Sequence, residues 1–189
     1  MTTTPPRPAA ARWRRAAALA AAGLCALALA GCAAPQLADY ADTRPVFDFR
    51  RYFDGTVLAH GMVSDRSGKV VRRFVVTLHG SWAGDDGTLD EHFVYDDGER
   101  QRRVWRVKAL PGGRYTGRAD DVVGEAQGAS AGAAFNWRYT LRLPVDGTVY
   151  EVQFDDWMHR VDERVVLNKA VLSKFGVRVG EVTLSFTRP

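Results

Sequence analysis

From Gly55 almost to its C-terminus the chain alternates apolar and polar residues with a period of two, the pattern of half-buried β-strands. Val, Thr, Phe, Trp and Tyr recur in these segments, and their branched or aromatic side chains suit a pleated surface. Turn signals break the alternation at Asp65 to Gly68, Asp85 to Gly87, Asp96 to Gly98, Pro111 to Gly113 and Asp146-Gly147. The pattern predicts successive antiparallel strands joined by hairpins.

Two of these hairpins can be registered residue by residue. A two-residue turn at Asp146-Gly147 sets Leu143 opposite Tyr150, Leu141 opposite Val152, Tyr139 opposite Phe154, Trp137 opposite Asp156 and Phe135 opposite Met158. One face is then apolar apart from Asp156. The other pairs Arg142 with Glu151 and Arg138 with Asp155, complementary charges across the ladder. A slip of one residue would scramble both faces.

At Asp96-Asp97-Gly98, a three-residue loop with Gly98 in the left-handed position sets Leu89 opposite Trp105 and Glu91 opposite Arg103. Leu89, Phe93, Tyr95, Trp105 and Val107 then share a face, while Arg102, Arg106 and Lys108 turn to water. Glu91 and Arg103 fall on the apolar side, where an unpaired charge is strongly disfavoured, so they are expected to pair. Asp156 is a second inward charge. Lys169 is a candidate partner if Asp162-Glu163 turns the chain into the next strand.

About 8 to 9 such strands imply an all-β fold closed into a single antiparallel up-and-down barrel, since closure removes exposed edges. The run FDFRRYF, Phe47 to Phe53, precedes them. It reads as a short N-terminal helix or an extended plug whose aromatics close the barrel base, and periodicity leaves the two open. A barrel of this strand number has room for side chains or one small ligand.

The segment before the barrel follows different rules. Arg12, Arg14 and Arg15 lead into an Ala/Leu-rich stretch that ends at Leu29-Ala30-Gly31-Cys32. A positive start, a short apolar run and small residues before a cut mark a secretory signal, and residues 16–30 are short for a membrane span, which needs about 20 apolar residues. The Leu-Ala-Gly-Cys end resembles the bacterial lipobox, which implies lipidation of Cys32. Ala33 follows in place of the aspartate that commonly retains such proteins in the inner membrane. By resemblance, the expected address is the periplasmic face of the outer membrane. The organisation read from this is a lipoprotein signal peptide at 1–31, a lipidated tether at 32–46 with Pro35 and Pro45, and a β-barrel domain at 47–189.

Charge is the property this division changes most. Residues 1–31 hold four arginines and no acid, so the 26 basic side chains of the chain fall to 22 in the mature part, against 22 acidic ones. Near-zero net charge removes any global electrostatic case for nucleic-acid binding. Cys25 leaves with the signal and Cys32 is committed to lipid, so no disulfide and no thiolate metal site is expected.

The ordered strings YFDG (Tyr52 to Gly55), DRSG (Asp65 to Gly68), RRF (Arg72 to Phe74), YDDGE (Tyr95 to Glu99), RVW (Arg103 to Trp105), DVVG (Asp121 to Gly124), DDWM (Asp155 to Met158) and KFGVRVGEV (Lys174 to Val182) resemble a bacterial lipoprotein family, the domain of unknown function DUF3833. The resemblance spans essentially the whole mature domain. It implies a lipocalin-like barrel and brings no assigned activity and no catalytic residues.

The candidate chemistry is sparse. Gly128-Ala129-Ser130-Ala131-Gly132 matches the G-x-S-x-G nucleophile elbow, but an elbow needs a strand-turn-helix corner on an α/β sheet. Here the stretch reads as a Gly/Ala linker between β-like segments. His60, His79, His92 and His159 lack the spacing of metal ligands, and no cofactor is expected. Glu91 and Asp156 could form an acid/base pair, since carboxyls in an apolar cavity have raised pKa values, or could be structural. The basic face of Arg100, Arg102, Arg106 and Lys108 reads first as a solvated strand face and second as a contact for anionic lipid.

The candidate ligand-binding set is therefore Glu91, Arg103, Trp105, Trp137, Tyr139, Phe154 and Asp156. With the membrane as the expected partner through the N-terminal lipid, the favoured expectation is an anchored barrel that binds an apolar or amphipathic ligand such as a fatty acid or lipid. The alternatives are an accessory that binds another envelope protein and, less favoured, a lipid-modifying enzyme.

Overall fold

The computed structural model describes residues 34–145 and 147–189. The signal segment and Cys32 lie outside the described residues. Ten strands form the wall: β1 (Gly55–Asp65), β2 (Val70–Ala83), β3 (Asp86–Tyr95), β4 (Arg100–Leu110), β5 (Arg114–Arg118), β6 (Ala126–Ala131), β7 (Ala134–Val145), β8 (Thr148–Arg160), β9 (Val165–Lys174) and β10 (Val177–Thr187). Each pairs antiparallel with its neighbours in sequence, and β1 closes on β10. The fold is an all-β up-and-down barrel.

The count exceeds the sequence expectation because of β5 and β6. Residues 128–132, read above as a linker, lie mostly within β6, with Gly132 in the turn that follows. The alternation is faint there because Gly117 and Gly128 occupy inward positions. A Cβ on Gly117 would meet the Trp137 ring at 2.6 Å, and one on Gly128 would meet it at 2.2 Å. Glycine makes room for the largest side chain in the core.

Both hairpin registers are found as read. Tyr139 pairs with Phe154, Trp137 with Asp156 and Arg138 with Asp155; Leu89 pairs with Trp105 and Glu91 with Arg103. Gly98 carries the left-handed backbone of the β3–β4 loop at φ 86°. Arg100, Arg102, Arg106 and Lys108 are exposed.

One end of the barrel is stoppered. Phe47 to Phe53 forms the short helix α1 (Phe49–Tyr52), whose Asp48 cap accepts a hydrogen bond from the Arg51 N–H at 3.0 Å. Phe47, Phe49, Tyr52 and Phe53 are all buried. Phe49 stacks on Phe135 with ring centres 4.3 Å apart, and Phe53 meets Phe186 edge to face. The Tyr52 hydroxyl donates to the Arg164 carbonyl at 2.9 Å, and Arg188 donates to the carbonyls of Arg51 and Asp54. Gly80 completes the fit, for a Cβ there would stand 1.7 Å from the Phe53 carbonyl oxygen.

Residues 36–46 lie against the outside of the wall near that closed end, before the chain turns inward at Phe47. Tyr40 contacts the rings of Trp157 and His159, the Thr43 hydroxyl accepts from the Ala133 N–H, and the Phe47 N–H donates to the Gly132 carbonyl. Gly132 has φ 52°, and a Cβ on it would sit 1.8 Å from the Tyr40 carbonyl oxygen. Both glycines of the G-x-S-x-G string are thus explained by close approach, Gly128 to Trp137 and Gly132 to this segment. Ser130 stands on a barrel strand with its hydroxyl buried.

The opposite end is open. Three consecutive hairpin turns around its rim, β1–β2, β7–β8 and β9–β10, carry exposed Val70, Val71, Val145, Val149, Val177 and Phe175. Phe175 is 91% exposed. The β3–β4 turn on the other side carries Asp96, Asp97 and Glu99.

Candidate functional site

The barrel interior is hollow. A cavity of about 540 Å³ runs from the rim at Val71, Arg72 and Val145 down to Phe49 and Phe53 of the stopper. This volume falls within the range of about 300–1,000 Å³ that small-molecule sites occupy. Inward residues of every long strand contribute to a largely apolar wall, among them Val76, Leu78, Leu141, Ala170, Leu172 and Leu184.

All seven of the sequence-predicted ligand residues line this one cavity. Trp105 meets Trp137 edge to face at 5.6 Å and Tyr139 at 5.3 Å, and Tyr139 stacks on Phe154 at 5.0 Å. They form a continuous aromatic row across β4, β7 and β8. Glu91, Arg103 and Asp156 stand along the same row.

Arg103 makes the expected ion pair with Glu91 and a shorter one, not foreseen, with Asp121. Its Nη1 lies 3.7 Å from Glu91, but its shortest contacts are to Asp121, at 2.8 Å from Nη2 and 2.9 Å from Nε. Asp121 belongs to the loop 119–125. Because β5 and β6 are short, this loop fills the wall between the upper halves of β4 and β7. It is tied there by the Val123 N–H to the Thr140 carbonyl, the Arg142 N–H to the Asp121 carbonyl and the bridge of Val122 with Leu141. Burial works against the charge on Arg103, and Asp121 and Glu91 more than offset it, so its pKa is raised.

Asp156 has no lysine beside it. The β8–β9 register sets Asp156 opposite Ala170 and Lys169 opposite Trp157, so Lys169 faces outward, where it pairs with Glu181 at 3.0 Å. The carboxylate instead accepts from the Asn168 amide and from the Tyr139 hydroxyl, the latter at 3.3 Å. Charge matching alone passes over Asn168, although it occupies an inward position between Val166 and Ala170. The rule that singled out Asp156, a polar residue on an apolar face, applies to it equally. Asn168 is 2% exposed and its Oδ1 has no partner.

Burial dominates the electrostatics. Desolvation lifts Glu91 to about 7 against the opposing pull of Arg103 and a Trp105 hydrogen bond, with Asp121 and Asp156 adding to the rise. Desolvation also lifts Asp156 to about 7, opposed by hydrogen bonds from Asn168 and Tyr139. Tyr139 is raised well above its ordinary value by burial and by the charge of Asp156. At the mouth, Arg72 lies 3.5 Å over the Tyr95 ring and donates to Asp97 at 2.8 Å and Glu99 at 2.5 Å.

Among the described residues, no group of three or more His, Cys, Asp or Glu is placed to hold a metal ion. His79 and His92 meet ring to ring at 6.1 Å on the outer surface, away from the cavity.

Fold and site together define a hollow, one-ended antiparallel barrel of lipocalin-like form. The family described as "Protein of unknown function (DUF3833)" matches residues 26–188, and the chain belongs to that family. No curated protein matches it.

Proposed function

We propose that this protein is a lipid-anchored carrier or sensor whose barrel binds one small apolar or amphipathic molecule of lipid type. The observation that carries this reading is the hollow interior: a barrel filled by its own side chains would favour an accessory role, whereas this one keeps a cavity of about 540 Å³ above its aromatic stopper. The apolar rim supports it further, since Val71, Val145 and Phe175 extend the greasy wall outward to where a lipid tail would enter.

The anchor is Cys32, acylated after removal of residues 1–31, and the outer membrane's periplasmic face is the proposed address. The matched family region begins at residue 26, so it includes the lipobox. Two or more acyl chains hold a protein stably where one does not. Cys32→Ser should release the protein from the membrane fraction and abolish incorporation of labelled palmitate; a variant that stays membrane-bound overturns the anchor.

Ligand binding is tested on the Cys32→Ser chain with the neutral fluorophore N-phenyl-1-naphthylamine. Its emission should rise and shift to the blue on binding, and native mass spectrometry of protein from cells should show a co-purifying lipid. A barrel that binds no probe and carries no lipid overturns the reading.

A further inference from the structure

The polar groups inside the cavity are unevenly supplied with partners, and the imbalance has a sign. The cation at depth, Arg103, is held by carboxylates: its Nε and Nη2 contact Asp121, and its Nη1 makes a longer ion pair with Glu91 at 3.7 Å. Three carboxyls, Glu91, Asp121 and Asp156, stand around this one guanidinium, so the surplus is of acceptors. A carboxylate offers about four lone-pair sites, and Asp156 fills two with Asn168 and Tyr139. Asn168 Oδ1, on a side chain almost wholly buried in the cavity wall, accepts nothing. Glu91 adds a further carboxyl beside them, on the same lining.

Buried acceptors without donors are costly, by about 1–3 kcal/mol for a neutral group and more for a charged one, so the site is complementary to a ligand that brings donors. A fatty-acid anion placed head first would instead bring a further negative charge to Glu91, Asp121 and Asp156, and among the described residues the one cation lining the deep end, Arg103, is already outnumbered by these carboxyls. At the mouth, Arg72 Nε is unpartnered, but the guanidinium already serves Asp97 and Glu99.

We propose that the cavity selects amphiphiles whose polar end is a hydrogen-bond donor, foremost an aliphatic amine, and receives that end at Glu91, Asp156 and Asn168 while the chain lies along the apolar wall toward the mouth. Carboxylate-headed lipids are discriminated against. This rests on the ligand-binding reading given above and narrows it to a chemical class.

The groups that face the buried end are Glu91 from β3, Arg103 from β4, Asp121 from the 119–125 loop, Tyr139 from β7, Asp156 from β8 and Asn168 from β9. Arg103 and Asp121 neutralise one another, and Tyr139 stays protonated. Glu91 and Asp156 are the two whose charge changes near neutrality. As they ionise, a cationic head gains and an anionic head loses.

The test is competition against bound N-phenyl-1-naphthylamine on the Cys32→Ser chain, with dodecylamine, dodecanol and dodecanoate below their micelle concentrations. At about pH 8.5, dodecylamine should compete about tenfold better than dodecanoate, as fits one charge-assisted hydrogen bond, with dodecanol between. The margin should shrink at about pH 5.5, where both carboxyls hold protons. Glu91→Gln combined with Asp156→Asn should erase the preference, scored as the ratio of dodecylamine to dodecanoate competition against each variant's own affinity for the neutral probe; Glu91→Gln alone serves if the double variant unfolds, and should reduce the ratio.

Dodecanoate competing as well as dodecylamine at the higher pH overturns the inference and leaves the cavity reading standing. Failure of the neutral probe to bind overturns both. An amine preference that survives in the carboxamide variants places the discrimination elsewhere and overturns the assignment to these residues.

Discussion

Arg103 and Asp121 meet at 2.8 Å although one stands on a barrel strand and the other on the loop that fills the gap left by two short strands. The pair joins the wall to its patch from inside. Breaking a buried pair costs about 3–5 kcal/mol because it strands the remaining charge. Arg103→Ala should therefore destabilise the fold by about that amount in urea unfolding. In double-mutant cycles, the coupling of Arg103 with Asp121 should exceed that with Glu91. Equal couplings would show that the loop contact is not the stronger one.

Stability should fall as pH rises through the neutral range. Glu91 and Asp156 bind their protons more tightly folded than unfolded, since burial raises both to about 7. Between about pH 4 and about pH 7 unfolding therefore releases protons, and stability present at the acid end is lost on the way up. Asp65, Asp90, Asp96 and Asp162 act oppositely: hydrogen bonds from Ser67, Arg102, Arg73 and the Arg164 backbone hold them low. Their contribution is present above the ordinary carboxylate range and is lost below it. Thermal melts should thus peak in mildly acidic buffer, and Glu91→Gln with Asp156→Asn should flatten the decline above the peak. A parent protein more stable at pH 8 than at pH 5 would contradict this.

Gly80→Ala should unseat the stopper. Its methyl would meet the Phe53 carbonyl oxygen, a backbone atom with nowhere to rotate. A loss of about 2 kcal/mol or more is expected, accompanied by new probe access from the closed end in quenching experiments. A melt unchanged from the parent would mean that α1 shifts without cost.

Ala170→Phe should fill the cavity without disturbing the wall. Ala170 is inward, opposite Asp156 across β8 and β9, and borders the empty volume. Probe affinity should fall about tenfold, or about 1.4 kcal/mol, with the near-ultraviolet spectrum and melting point largely kept. Undiminished binding would place the probe outside the barrel.

Much of the barrel was legible because its information is local. The register of β7 with β8 follows from Asp146-Gly147 and from charges such as Arg138 and Asp155, all within one hairpin. The same holds for Glu91 and Arg103. The helical stopper was half legible: its aromatic content announced a burial role, and four residues are too few for a period to declare helix over strand.

What escaped was non-local or masked by small residues. β6 hides in Ala126–Ala131 because Gly128 yields its space to Trp137, a demand imposed by another strand. Asp121 reaches Arg103 only because two strands stop short, which no turn signal reports. Opposite charge points to Lys169 as the partner of Asp156, whereas the position that faces it belongs to Asn168. Strand parity decides the matter, since Lys169 and Asn168 point to opposite sides of the wall.

The aromatic stopper turns the barrel from a pipe into a cup. Among the described residues, Phe49 and Phe53 floor the cavity and Phe175 and Val71 stand at its other end. On the ligand-binding reading proposed above, such a vessel loads and unloads at the same end and does not conduct. Exchange is then set by what stands at that rim.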